Sequence, residues 1–340
     1  MKTHASFNEC YRDLLSTVYR TPDHESAPRG QKVRESLCIS FRITDPRDRL
    51  LSLPSSDRSL AYAVAESLWY LGGNDSTAWI AYYAPFWNKI TDDGTTANSA
   101  YGARIFRELH TRVHIPQVWE AHPNRRTQSQ WEYVKTELRR DPDSRRAVIQ
   151  IRSAADSWLA QKDVPCTLAL QFFLRDGALH MVANMRSSDL VLGIPYDVFA
   201  FTLFQELMAN ELGARLGSYT HVSNSLHVYE RDFAQADMIL AAADAGTKGS
   251  FVGPMPAIPR VAPPVMKMMA LEAKLRLIDN VHELSDALYD AADDLLPAHA
   301  YWMDWIKVLA SHRAARLKLP AVQRSFLRST TWKGYQEFAR

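Results

Sequence analysis

Cysteine is rare in this chain, lysine is scarce beside arginine, and long apolar runs are missing. Its 340 residues include three cysteines, Cys10, Cys38 and Cys166. That odd number without paired ligand spacing argues against a disulfide framework and a zinc site, and reduced thiols are expected. No window offers the roughly eighteen uncharged apolar residues of a membrane span. The opening stretch MKTHASFNECYRDLL carries acids where a secretory leader needs an apolar run, so a cytoplasmic protein is expected. Net charge is also small, with 40 basic against 38 acidic residues. Such balance excludes the broad positive field of a nucleic-acid or membrane surface, so an anionic ligand must be met locally by a few arginines. Lysine is scarce beside arginine and alanine is common, a bias of GC-rich genomes. There is no internal repeat and no low-complexity tract.

What is present is a hydrophobic fraction of 46%, enough for a large core. Residues 35–43 alternate apolar and polar side chains as a strand does, and residues 59–71 read as a buried helix ending at Gly72-Gly73. Helical spacing recurs over 101–113 and 128–139. Strands follow at 147–151, 166–174 and 178–185, the last two joined by a turn at Arg175-Asp176-Gly177 into a hairpin. Residues 196–212 form a long apolar run, a core helix with Pro195 at its start and Gly213 at its end. Strand signals return at 218–222 and 271–277. Between them, the proline-rich stretch 252–265 reads as an extended connector, and the C-terminal part with Trp302 and Trp305 is helical. Strands and helices in mixed order predict an α+β architecture.

One thiol stands out. Cys166 follows Pro165 at the start of a strand, where side chains reach into a cleft, and Arg186 at the far end of the hairpin would lower a nearby thiol pKa. An isolated cysteine is ordinarily a packing residue. Likewise Arg145-Arg146 would ordinarily be a solvated pair, Glu66 a helix-face charge, and His227 and Tyr229 half-buried strand residues.

The register of these residues together resembles the thymidylate synthase family. Pro165-Cys166, Arg186-Ser187-Ser188-Asp189 and Leu192-Gly193-Ile194-Pro195-Tyr196-Asp197 match the family's nucleophile motifs without gaps. The likeness extends over roughly residues 25–235, through AESLWYLGGN with Glu66, Trp87, Tyr101-Gly102, DPDSRRAVIQ with Arg145 and Arg146, and SNSLHVY with His227 and Tyr229. It implies a central mixed sheet packed by helices, with one sheet face forming a homodimer interface. It implies a catalytic domain over 1–265 and a C-terminal strand and helical extension over 266–340 packed on the same domain.

By that resemblance Cys166 is the nucleophile and Glu66 the catalytic carboxyl that organises water and protons. Arg29, Arg186 and Ser187 bind a nucleotide phosphate, together with Arg145 and Arg146 donated by the other subunit. His227 and Tyr229 hold the sugar, while Asp189, Trp87 and Gly193 contact the co-substrate 5,10-methylenetetrahydrofolate; no metal is expected. Carbon 5 of a pyrimidine is a poor nucleophile, and reversible thiolate addition at carbon 6 activates it.

Two departures from the methylating members are informative. Thr167 stands where many have His, and Asp197 stands where those acting on dUMP have Asn. Uracil presents a donor at N3 and an acceptor at position 4, whereas cytosine reverses both. A carboxyl therefore fits cytosine, and a mismatch of this kind can discriminate by ~10⁴. Asp197 is also a mark of the cytidylate hydroxymethylases, in which water completes a hydroxymethyl group and Glu66 is placed as its general base. The expected substrate is CMP, as in the hydroxymethylases of nucleoside-antibiotic pathways. The alternatives are dCMP for a DNA precursor, a thymidylate synthase-type methylation, and a non-catalytic nucleotide- or RNA-binding homologue.

Overall fold

The structure is a computed structural model that describes residues 1–54, 56, 58–107, 129–157, 161–245, 252–295 and 300–339. In chain order it runs β1 (Lys2–His4), α1 (Phe7–Arg20), β2 (His24–Ser26), β3 (Val33–Ile43), α2 (Leu60–Leu71), α3 (Thr77–Ile80), α4 (Trp87–Ile90), α5 (Tyr101–Phe106) and α6 (Gln130–Arg140). It continues with β4 (Val148–Gln150), β5 (Thr167–Arg175), β6 (Ala178–Met185), β7 (Ser188–Asp189), α7 (Ile194–Leu212) and β8 (Arg215–Tyr229). Then come α8 (Phe233–Asp244), α9 (Val265–Leu277), α10 (Val281–Leu295), α11 (Ala300–Arg316) and α12 (Pro320–Arg328).

One mixed sheet organises the molecule in the order β1-β3-β8-β6-β5-β4, with β2 on β3 and β7 on β8. The β5–β6 hairpin turns on Asp176 (φ 50°) and Gly177 (φ 70°), two left-handed residues that give the tight connection right-twisted strands favour. β8 is the spine: antiparallel to β3 from Tyr219 to Tyr229, it also runs parallel to β6 and β7. Only its centre is legible from alternation, because the segment SNSLHVY places small polar residues on one face.

Helix α7 lies against the sheet and is buried nearly all round, Val198 through Ala209 without a break. Pro195 falls in its first turn and Gly213 (φ 68°) ends it. Across it packs α2, buried from Leu60 to Tyr70, with Ser59 accepting from the Tyr62 N–H at 3.1 Å as its cap. Gly102, in α5, closes the layer: a Cβ there would stand 2.1 Å from the Tyr70 carbonyl oxygen, so only glycine lets the two helices meet.

The strand expected at 271–277 is a correction. The segment belongs to α9, which buries Met268 and Leu275 two helical turns apart and leaves Leu277 84% exposed. The alternation in LEAKLRL mimics a strand, whereas the burial follows a helix. The region after 265 is therefore helical in its described residues, with no strand. Its Trp302 and Trp305 are fully buried, and Trp305 meets Phe199 of α7 at 6.3 Å between ring centroids. The helix expected over 101–113 ends at Phe106 among the described residues; its continuation, and residue 128 of the next expected helix, lie outside them. No described helix is long and apolar enough to cross a membrane.

Candidate active site

The hairpin register decides where the chemistry sits. Thr167 pairs with Met185, so the residues just beyond the pair, Cys166 and Arg186, face each other. The Arg186 N–H donates to the Cys166 carbonyl at 2.9 Å, and its guanidinium donates to the carbonyls of Pro165 at 2.9 Å and Val164 at 2.8 Å. Burial pushes the Cys166 thiol up; Arg186 opposes this, and Asp197 adds to it.

A cavity of about 930 Å³ opens beside this hairpin end. Arg29, Arg186 and Ser187 line it, as do His227, Tyr229, Ser225 and Glu35, and so do Val164 and Leu168, two residues before and after Cys166 in sequence; Cys166, Glu66, Asp189 and Asp197 are not among its lining residues. Arg29 holds a left-handed backbone (φ 53°) directly before Gly30 (φ 77°), a sparsely populated conformation of the kind found at ligand clamps. Arg145 and Arg146 do not line this cavity. Both are exposed just before β4, at the sheet edge, where the Arg145 carbonyl accepts from Gln171.

Near Cys166 stands a group of acids and buried phenols. Burial pushes Asp197 well above the ordinary carboxylate range, and the neighbouring charges of Glu66 and Asp189 push it further. Glu66 is raised to about 7 by burial, partly offset by hydrogen bonds from the Tyr62 hydroxyl at 2.6 Å and the Tyr70 hydroxyl at 3.2 Å. Tyr62 and Tyr70 stand one turn on either side of Glu66 on α2, a spacing visible in the sequence but not singled out there. The buried Tyr101 phenol is raised too, by burial first and then by Asp197 and Cys166. Thus Cys166, Asp197, Glu66 and Tyr101 share one electrostatic neighbourhood.

The three residues expected to meet the folate fall into two places. Asp189 Oδ1 accepts from the N–H groups of Val191 at 2.7 Å and Leu192 at 3.1 Å, and Oδ2 faces Arg231 at 3.4 Å. Gly193 adjoins it; a Cβ there would lie 3.0 Å from the Asp189 carbonyl oxygen and 3.5 Å from Asp197 Oδ2. Trp87 is buried one layer back, its indole N–H donating to Tyr62 at 3.1 Å. A carboxyl group with acceptor capacity left, beside the exposed side chain of Leu192, suits a flat heterocycle with polar edges such as a pterin.

On the opposite side, His227 pairs in register with Glu35 on β3 and with Asp189 on β7. Its Nδ1 lies 3.4 Å from the Ser225 carbonyl, which can only accept, so Nε2 is left as an acceptor. Burial lowers the His227 pKa, against Asp189, and keeps the ring neutral. Tyr229 meets His227 edge-on at 5.0 Å, with the Arg231 guanidinium 4.0 Å from its ring centroid. Glu35 was missed in the sequence because strand alternation marks it only as an outward polar residue.

Fold and site define an α+β protein in which a cysteine at a hairpin end lies next to an arginine-lined cavity and within the electrostatic reach of Asp197, itself coupled to Glu66. The thymidylate synthase family model matches residues 9–247, and the chain belongs to that family. Among its relatives, the deoxyuridylate hydroxymethyltransferase of Bacillus phage SP01 is 31% identical over 232 residues, 66% of this chain and 57% of the phage protein. The deoxyuridylate hydroxymethyltransferase of Pseudomonas phage M6 is 31% identical over 189 residues, 54% of this chain and 49% of its own length. The chain thus matches about half the length of these relatives. The solved structure of the thermostable thymidylate synthase A from Bacillus subtilis superposes with a TM-score of 0.55 at 19% identity, covering 69% of this chain and 84% of that one. At that identity it shows the fold alone.

Proposed function

We propose that the protein is a cytidylate 5-hydroxymethylase, with CMP as substrate and nucleoside-antibiotic biosynthesis as its setting. In this reading the nucleotide phosphate meets Arg29, Arg186 and Ser187, with Arg145 and Arg146 of a second subunit completing the clamp in a homodimer. Cys166 loses its proton and adds to carbon 6 of the ring, and the electron pair arrives at carbon 5. When bound, 5,10-methylenetetrahydrofolate would supply a one-carbon unit at the oxidation level of formaldehyde; carbon 5 loses its proton, tetrahydrofolate leaves, and after water adds the Cys166 thiolate is expelled from carbon 6. Glu66, half-ionised at neutral pH, takes a proton from the water that completes the hydroxymethyl group, and Tyr62 and Tyr70 hold it in place. Asp189 and Gly193 hold the co-substrate ring.

The residue that carries the base assignment is Asp197, a part-buried carboxyl within the electrostatic reach of Cys166 and Glu66, standing where members that act on dUMP have Asn. A neutral carboxyl donates its O–H to cytosine N3 and accepts from the 4-amino group.

A second reading has its own support. The same neutral carboxyl can instead accept from uracil N3–H and donate to the 4-oxygen, and both phage relatives carry deoxyuridylate in their names. Incubation with CMP, dCMP, UMP and dUMP plus methylenetetrahydrofolate, followed by product masses, separates the readings. CMP gaining a hydroxymethyl group supports the proposal. A hydroxymethylated dUMP with unreacted CMP replaces it with the second reading, and a methyl product with dihydrofolate overturns the hydroxymethylase assignment.

A further inference from the structure

Glu35 is a charged group that the steps above do not use. It lines the cavity beside Ser225, His227 and Tyr229, directly across the β3–β8 ladder from His227. The Ser26 hydroxyl donates to Oε1 at 2.8 Å and the Ser225 hydroxyl to Oε2 at 2.7 Å. These bonds, Ser225 first, hold Glu35 below the usual carboxylate range, so it is ionised at neutral pH. Among the described residues no lysine or arginine pairs with it.

A carboxylate repels a phosphate, so it is of use in this cavity only where the ligand offers hydrogen-bond donors. With one serine on each oxygen, each still has a lone pair to offer. Beside it, His227 Nε2 is also an acceptor, because Nδ1 faces the Ser225 carbonyl. Directly opposite residues on an antiparallel pair have Cβ atoms about 5 Å apart. The sheet therefore presents two adjacent acceptors, which match two adjacent O–H donors. Ribose has such a pair in its 2′- and 3′-hydroxyls, whereas deoxyribose has one.

We propose that Glu35 reads the 2′-hydroxyl and makes the site selective for ribonucleotides. The inference rests on the pyrimidine-nucleotide reading above and adds the sugar to it. It does not depend on which base is bound.

Calorimetric titration of the whole chain with CMP, dCMP and 2′-fluoro-2′-deoxy-CMP tests it, since fluorine cannot donate. CMP is expected to bind about 10- to 100-fold more tightly than either, the range for a hydrogen bond to a charged group. Glu35→Gln should bring the CMP to dCMP ratio towards one. Equal binding of all three by the unmodified protein overturns the proposal and needs no variant to fold. So does a ratio that survives Glu35→Gln; if sedimentation shows a weakened dimer as well, Glu35 is a subunit contact. Repeating the titration with UMP and dUMP separates the two readings. A ribose preference seen only in the uracil series removes the cytosine assignment and keeps Glu35, and no binding in either series removes both.

Discussion

Arg186 grips the segment that carries Cys166 from three directions: backbone to the Cys166 carbonyl at 2.9 Å, and guanidinium to those of Pro165 at 2.9 Å and Val164 at 2.8 Å. The cation that opposes the burial penalty on the thiol is thereby fixed in place. Arg186→Ala should push the thiol pKa further up and loosen the phosphate end of the cavity. In a Cys38→Ser background, alkylation of Cys166 by iodoacetamide should require higher pH than in the parent. Nucleotide affinity should fall by about 10- to 100-fold through the lost charge-assisted bonds. An unchanged alkylation profile would detach Arg186 from the thiol.

Glu66, raised to about 7 by burial, couples activity to stability. As the proposed base it would work ionised, so kcat should rise as pH passes upward through about 7. The folded state holds a proton that the unfolded state has released, so between the unfolded carboxylate pKa and about 7 stability falls as pH rises. Glu66→Gln should therefore lower kcat by ~10² or more. The same variant should melt higher than the parent at pH 8 but not at pH 4, by an amount on the order of 2 kcal/mol at the higher pH. A variant that is both inactive and less stable at pH 8 would contradict this account.

Tyr62 donates to Glu66 at 2.6 Å and accepts from Trp87 at 3.1 Å. Its hydroxyl stabilises the ionised carboxyl, so Tyr62→Phe should move the acidic limb of the kcat profile to higher pH by about one unit. Activity at the new optimum should largely return. A uniform loss at every pH would assign Tyr62 to packing alone.

As the proposed base contact, Asp197 would read the base in either protonation state, but differently. Neutral, it can serve cytosine or uracil; ionised, it can only accept, and then suits the cytosine amino group. The ratio of cytosine to uracil turnover should accordingly rise with pH. Asp197→Asn, which cannot ionise, should flatten that dependence and favour uracil by ~10²-fold or more. Competition assays at several pH values, with both products weighed, measure this directly.

Exchange of Arg145 and Arg146 between subunits can be tested by complementation. A chain with both arginines replaced by alanine and a chain with Cys166→Ala should each be inactive. Mixed, denatured and refolded in equal amounts, they should recover about a quarter of normal activity, since half the dimers are mixed and each has one intact site. No recovery would place the two arginines outside the partner's site.

The sequence made some of this legible and hid the rest for physical reasons. The hairpin could be read because Asp176-Gly177 is a strong turn signal, and α7 because its apolar run is too long for a strand. The pairing of Cys166 with Arg186 follows from that hairpin register alone. The α9 segment misled because LEAKLRL satisfies both periods over seven residues. Glu35 stayed hidden because its importance comes from a partner strand almost two hundred residues away, joined to it through Ser225.

The contact at Gly102 has a consequence beyond packing. Its bare Cα rests against the backbone of Tyr70, whose hydroxyl reaches Glu66, and the next side chain, Tyr101, lies in the field of Asp197 and Cys166. A methyl group at that point would wedge apart the two helices that set the acidity of the site. The smallest side chain in the chain thus acts as a spacer for proton chemistry, and damage there would appear in a pH profile.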